Sequence, residues 1–258
     1  YASQSGLEYI TFLDNIWEGA GHYNVSTLWG GHDGLSAAVA KIKAAGLKAG
    51  MHSMSGNIVK TDSYVTPIPD PRLAKTPGLS RTLAAAIGEN DTWIPLVESP
   101  AGLPVPYGVQ QPRLGAEMQI GSEIVRYASI NASAPFGLNG VERGMYGTTR
   151  AGHHPGTTID HLAQMYNGYL PDPNTTLLDE IGANLAWAYR SLGMSMIYFD
   201  GLEAHSLTGP AITGAPLSRA PGVAEAGLHQ AFWEALDGND ALVESSSSSG
   251  PLWHLNTR

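Results

Sequence analysis

The sequence contains no cysteine, which excludes disulfides, cysteine-ligated zinc and thiol nucleophiles. It holds no apolar run of the length that a membrane span needs, so no membrane insertion is expected. Cations are scarce: 14 Lys plus Arg stand against 23 Asp plus Glu, a formal net charge of −9. Without a basic stripe to neutralise phosphates, nucleic acid and anionic lipid are poor partners. Neither a GxGxxG after the first strand nor a P-loop occurs, so the nucleotide-binding readings lose weight. What is present is ordinary for a folded chain: 43% hydrophobic and 14% charged residues over 258 positions, enough to bury a sizeable core.

Periodicity organises the chain. Leu7–Leu13 is short, apolar and β-rich, and reads as a buried strand ending at Asp14-Asn15-Ile16-Trp17. A glycine-rich loop with His22, Trp29 and His32 follows. Asp33 then reads as a helix N-cap, Leu35, Val39 and Ile42 share a helical face, and Gly46 suits a C-terminal cap. Leu47–His52 reads as the next strand, which completes a βαβ unit with a parallel pair. Helical pattern is read at Ile159–Tyr169 and at Thr176–Leu192, the latter opened by a Thr176/Asp179 capping box and closed by Gly193. Met194–Phe199 is a strand that delivers Asp200, Ala224–Leu236 a helix, and Ala241–Val243 a strand that ends at Glu244.

Between these blocks the pattern changes. Asp91–Val97, Met118–Ile130 and Leu138–Glu142 look like strands separated by turns, the middle one folded as an antiparallel hairpin. The expected organisation is therefore residues 1–63 and 162–258 as an α/β domain, with 64–161 as a small β-rich insertion. Four parallel strands are readable, a start shared by doubly wound sheets and (β/α)8 barrels. The sequence opens on Tyr1 and runs to Arg258 without a closing helix, and a piece of a longer chain is expected, secreted or periplasmic in location.

In parallel α/β proteins the chemistry gathers at the carboxyl ends of the strands. The first end offers Asp14, Asn15 and Trp17, with Trp29 in the loop beyond. The second offers His52, the third Asp200, Glu203 and His205, and the fourth Glu244. Carboxylates beside aromatics are what a sugar site requires. Carboxylates accept hydroxyl hydrogen bonds, rings stack on the apolar face of a pyranose, and a carboxylate pair can run glycosidic cleavage. His153, His154 and His161 lack metal-ligand spacing, and neither a metal nor another cofactor is expected.

The runs FLDNIWEGAGHYN, GLSAAVAKIKAAGLKAGMH and MIYFDG resemble retaining α-galactosidases and α-N-acetylgalactosaminidases, the clan D glycoside hydrolases. YFDG also resembles the nucleophile strand of α-L-fucosidases. The resemblance covers roughly the outer thirds of the chain. It implies a (β/α)8 TIM barrel, here partial, with about four βα units and an inserted antiparallel β module. It further implies that Asp14 binds sugar, that Trp17 matches the family's tryptophan, and that Asp200 is the nucleophile. Asn15 stands where the family has a second Asp. The family has an arginine a few residues before its acid/base Asp, in a WRxxxD-like string; WHLNTR, Trp253 to Arg258, approximates the beginning of that string, which puts the acid/base beyond residue 258. Glu203 and Glu244 are the candidates within the chain.

The expected function is a retaining glycosidase acting on a carbohydrate through an Asp nucleophile. Substrate contacts are expected from Asp14, Asn15, Trp17, Trp29, His52, His205 and Arg258, and catalysis from Asp200, Glu203 and Glu244. Two rivals stand beside it. A polysaccharide lyase on the same barrel would use His52 or Tyr166 as base. A non-catalytic carbohydrate-binding protein is encouraged by Asn15.

Overall fold

A computed structural model describes residues 6–104, 115–165, 167–201, 223–236, 238 and 241–245. The strands are β1 (Tyr9–Phe12), β2 (Lys48–Met54), β3 (Ile58–Val59), β4 (Arg81–Thr82), β5 (Ile94–Pro95), β6 (Glu117–Ile120) and β7 (Glu123–Arg126). They continue as β8 (Ser129–Asn131), β9 (Gly137–Asn139), β10 (Thr158–His161), β11 (Gln164–Met165), β12 (Gly168–Tyr169), β13 (Met196–Asp200) and β14 (Leu242–Ser245). The α-helices are α1 (Gly31–Ala44), α2 (Leu177–Leu192) and α3 (Val223–Leu236). Contacts divide the chain into two compact units. The first takes the described residues up to Asn57 and those from Pro173 onward; the second is Ile58–Asp172.

The first unit is mixed α/β. Its sheet runs β1-β2-β13-β14 with every neighbouring pair parallel, an open sheet of four described strands. The helices form where the sequence places an apolar stripe. In α1, Leu35 and Val39 are one turn apart and buried, and Gly46 closes the turn at φ 77°, a left-handed conformation that glycine adopts without a Cβ penalty. In α2, Ile181, Leu185, Tyr189 and Leu192 form the buried stripe and Gly193 caps it at φ 69°. Asp179 and Glu180 in its first turn and Arg190 in its last oppose the helix dipole. Thr176 stands at the N-cap position, but its side chain makes no capping hydrogen bond, so the capping box does not form.

Helices α2 and α3 pack closely because α2 carries a glycine at the contact. A Cβ built on Gly182 would lie 2.7 Å from the Ala231 Cβ. Above this contact Phe232 meets Tyr189 and Phe199 edge-on, at 5.7 and 5.2 Å between ring centroids. His229, one turn before Trp233, is fully buried and lies 4.4 Å from the Phe199 ring. Neither of its ring nitrogens has a hydrogen-bond partner among the described residues, and burial pushes its imidazole down to about 4. Phe199 therefore faces the helices. Alternation along a strand sends its neighbours Tyr198 and Asp200 to the opposite face of the sheet.

The second unit is built from short antiparallel sheets of order β4-β10-β6-β7, β11-β12-β3 and β5-β9-β8. The β6–β7 hairpin turns at Gly121, φ 55°, and its apolar core includes Met118, Ile120, Val125, Leu138 and Ile159. Two polar knots are buried in it. Glu117 accepts hydrogen bonds from Lys60 Nζ (2.6 Å), Tyr169 Oη (2.8 Å), Tyr146 and Arg126. Burial alone would raise the Glu117 pKa; the charge of Lys60 and these hydrogen bonds outweigh it and hold the carboxyl at about 2. Glu123, fully buried, is paired with Arg143 at 2.7 Å and with His153 at 3.2 Å.

One element differs in kind from the sequence reading. Ile159–Tyr169, expected to be helical, is extended: β10 pairs antiparallel with β4 and β6, and β11 with β12. Ile159 and His161 are buried around the half-exposed Asp160, so period-two alternation and partners some 80 and 40 residues away override the local helical pattern. His161 is held inside by Thr76 Oγ1 and the Gly115 carbonyl, both at 2.8 Å.

Candidate active site

Three of the expected residues meet at the carboxyl ends of three strands of the first unit. Asp14 opens a single 3-10 turn, Asp14–Ile16, directly after β1. His52 lies near the end of β2, and Asp200 is the last residue of β13. The register sets them together: Tyr198 is level with His52, and Asp200 is one same-face step further along. His52 Nδ1 hydrogen-bonds the Asp14 carboxylate, and His52 Nε2 stands 3.3 Å from Asp200 Oδ2. The other Asp200 oxygen accepts the Gly201 N–H at 2.9 Å. The His52 side chain is 13% exposed, that of Asp200 32% and that of Asp14 45%, so the carboxylates remain open to a ligand while the imidazole is mostly covered.

The electrostatics follow from that geometry. Burial alone would lower the His52 pKa. The hydrogen bond and charge of Asp14, then those of Asp200, outweigh it, and the imidazole is raised above its ordinary value.

The surrounding backbone is laced. Trp17 is buried and donates its indole N–H to the His52 carbonyl at 2.8 Å. Tyr23, held at φ 54°, packs edge-on against Trp17 and donates its hydroxyl to the Met54 carbonyl at 2.8 Å. A left-handed tyrosine is a strained backbone, of the sort that persists where the surroundings over-determine it. Ser55 donates its N–H to the Asp200 carbonyl at 2.7 Å, and the buried Ser53 hydroxyl reaches the Tyr198 carbonyl at 3.3 Å. Trp17 thus meets the strand-end backbone. Asn15 is exposed and uses its carbonyl to accept the Trp29 indole N–H at 3.2 Å. The Trp29 ring stands edge-on to Phe12.

Glu244 is exposed on β14, level with Tyr198. It therefore shares the sheet face of His52, Tyr198 and Asp200. One strand across and two residues along put its Cα roughly 8 Å from that of Asp200 on standard strand spacings. Glu203, His205, Arg258 and Tyr166 lie outside the described residues. Sequence reasoning missed Tyr198, whose ring lies 5.0 Å from that of His52. Its signal was present, since it precedes Asp200 by two positions in an extended run. It also missed Ser53 and Ser55, which nothing in the sequence pattern marks.

Among the described residues no group of three or more His, Asp or Glu is arranged to hold a metal ion. No helix of the described residues is long and apolar enough to cross a membrane.

No family model and no curated protein matches the chain. Similar solved structures include a candidate α-N-acetylgalactosaminidase from Bacillus halodurans C-125, with 14% identity and a TM-score of 0.41 over 95% of this chain and 41% of that one. An α-galactosidase from Lactobacillus brevis has 10% identity and a TM-score of 0.45, covering 95% of this chain and 23% of that one. Isomaltulose synthase from Klebsiella sp. LX3 has 10% identity and a TM-score of 0.48, covering 95% and 38%. The chain spans less than half the length of each of these proteins.

Proposed function

We propose that the chain carries the site of a retaining glycoside hydrolase acting on an α-galactoside-like bond. The observation that carries the reading is the meeting of Asp14, His52 and Asp200 at the ends of neighbouring parallel strands. It is joined by the resemblance of the same strand-end strings to clan D enzymes. Asp200 attacks the anomeric carbon, the bond to the leaving oxygen breaks, and a second carboxyl group protonates that oxygen. The glycosyl ester is then opened by water, which the second carboxylate deprotonates, and Asp200 is released. Glu244 is the described carboxylate on the same face, and a retaining pair needs its carboxyl groups about 5–5.5 Å apart. Glutamate's longer side chain suits the wider Cα spacing. Asp14 and Asn15 are the proposed hydroxyl ligands, with the Trp29 ring beside them.

The lyase reading is less well supported by the geometry. Its base needs a free lone pair, and both ring nitrogens of His52 face carboxylates. The test uses the full chain against a panel of aryl α-glycosides. Asp200→Asn is expected to abolish turnover, and Asp200→Gly with azide to restore it with a glycosyl azide product, azide attacking the anomeric carbon as the aryl oxide leaves. Unchanged turnover in Asp200→Asn removes Asp200 from the mechanism. Sugar binding without turnover by the unaltered chain points instead to a carbohydrate-binding protein.

A further inference from the structure

We infer that His52 is a positioning residue that works as an imidazolium clamp, bridging Asp14 and Asp200 and holding the Asp200 carboxylate in position only while the bridge is protonated. The consequence for catalysis rests on the glycosidase reading; the geometry does not. The argument is a count of protons. An ionised carboxylate only accepts hydrogen bonds. His52 presents one ring nitrogen to Asp14 and the other to Asp200 Oδ2 at 3.3 Å. Both contacts are favourable only if both nitrogens carry protons. A neutral imidazole would turn a bare lone pair toward one carboxylate, or leave one carboxylic acid protonated.

The surroundings favour the charged bridge. Asp14 faces the ring from the turn after β1, and Tyr198 and Asp200 face it from β13. Glu244 lies one strand further along the same row. The charges that act on the ring are those of Asp14 and Asp200. The clamp also has an asymmetry. At 3.3 Å the Asp200 contact is long for an N–H···O hydrogen bond, so Nε2 gives up its proton first and Nδ1, bonded to Asp14, keeps its own. Deprotonation therefore releases Asp200, not Asp14. Among the described residues Asp200 then keeps the Gly201 N–H at 2.9 Å as its donor, and its carboxylate loses the contact that fixes its second oxygen.

The test follows the histidine Cε1–H resonances of the full chain by NMR against pH, with His52 identified as the signal lost in His52→Gln and moved in Asp14→Asn. His52 is expected to titrate above the ordinary imidazole value of about 6.5, and to shift downward in both Asp14→Asn and Asp200→Asn. A His52 that titrates at or below that value, or that ignores both substitutions, overturns the clamp. In the turnover assay the alkaline side of kcat/KM should carry the His52 titration in addition to that of the general acid. His52→Gln should lose the His52 component, leaving a single limb that belongs to the general acid, and fall on the order of 100-fold in kcat, with a smaller change in KM. An alkaline side unchanged in slope and midpoint in His52→Gln also overturns it. Should no glycoside be turned over, the titration still decides the clamp and only the glycosidase reading falls.

Discussion

Replacing His229 by phenylalanine is expected to make the parallel-sheet unit both more stable and less sensitive to acid. His229 is fully buried under Phe199, and neither ring nitrogen has a hydrogen-bond partner among the described residues. Its folded-state pKa is about 4, against about 6.5 in an unfolded chain. Between those values the unfolded state binds the proton that the folded state refuses. The stability is fully present above pH 6.5, declines as the pH falls, and levels off below about 4. The full gap amounts to roughly 3 kcal/mol, and about 2.5 kcal/mol of it is already lost at pH 4.5. Phenylalanine keeps the ring contacts and removes two unsatisfied polar atoms, worth about 1–3 kcal/mol at neutral pH. Urea titrations followed by tryptophan fluorescence at pH 7.5 and 4.5 read both effects, with His229→Leu as a smaller replacement in case the larger ring is crowded. Other titrating groups cancel in the comparison of wild type and variant. An equal acid-induced loss in wild type and in both variants refutes the reasoning.

Gly182→Ala should destabilise the chain by about 1–3 kcal/mol in thermal unfolding, because the new methyl would sit 2.7 Å from the Ala231 Cβ; an unchanged midpoint would mean that α2 and α3 can separate freely. Glu117→Gln leaves the Lys60 ammonium buried without its anion, and a loss of about 3–5 kcal/mol is expected in urea unfolding. A loss below 1 kcal/mol would show that Lys60 finds water or another acceptor.

Much of the first unit is legible because its signals are local. The stripe of Leu35 and Val39 with Gly46 behind it, and that of Ile181, Leu185, Tyr189 and Leu192 with Gly193, are fixed by helical spacing and a glycine stop. The strand-end position of Asp14, His52 and Asp200 is equally local. Their meeting is not: His52 lies 38 positions from Asp14 and 148 from Asp200, and only the β2–β13 register brings the latter pair together. The same cause hid β10, whose extended form depends on partners far away in sequence. Trp17 shows a third limit of pattern reading. The residue type marks an aromatic at the strand end, but only tertiary packing directs its indole to the His52 carbonyl.

The placement of the second unit between β2 and β13 bears on the order of folding. Pairing Met54 with Asp200 before anything else has formed means closing a loop of well over a hundred residues. The second unit shortens that loop by itself, because Ile58 at its start is the register partner of Tyr169 near its end. Once this clasp has formed, roughly thirty residues of slack remain between the two sheet strands. On loop-closure scaling the difference is about 1.4 kcal/mol, close to a tenfold gain in the probability of the strands meeting. The parallel sheet should therefore assemble after the antiparallel unit, and weakening the latter through Glu117→Gln should slow the recovery of the Asp14–His52–Asp200 cluster in refolding.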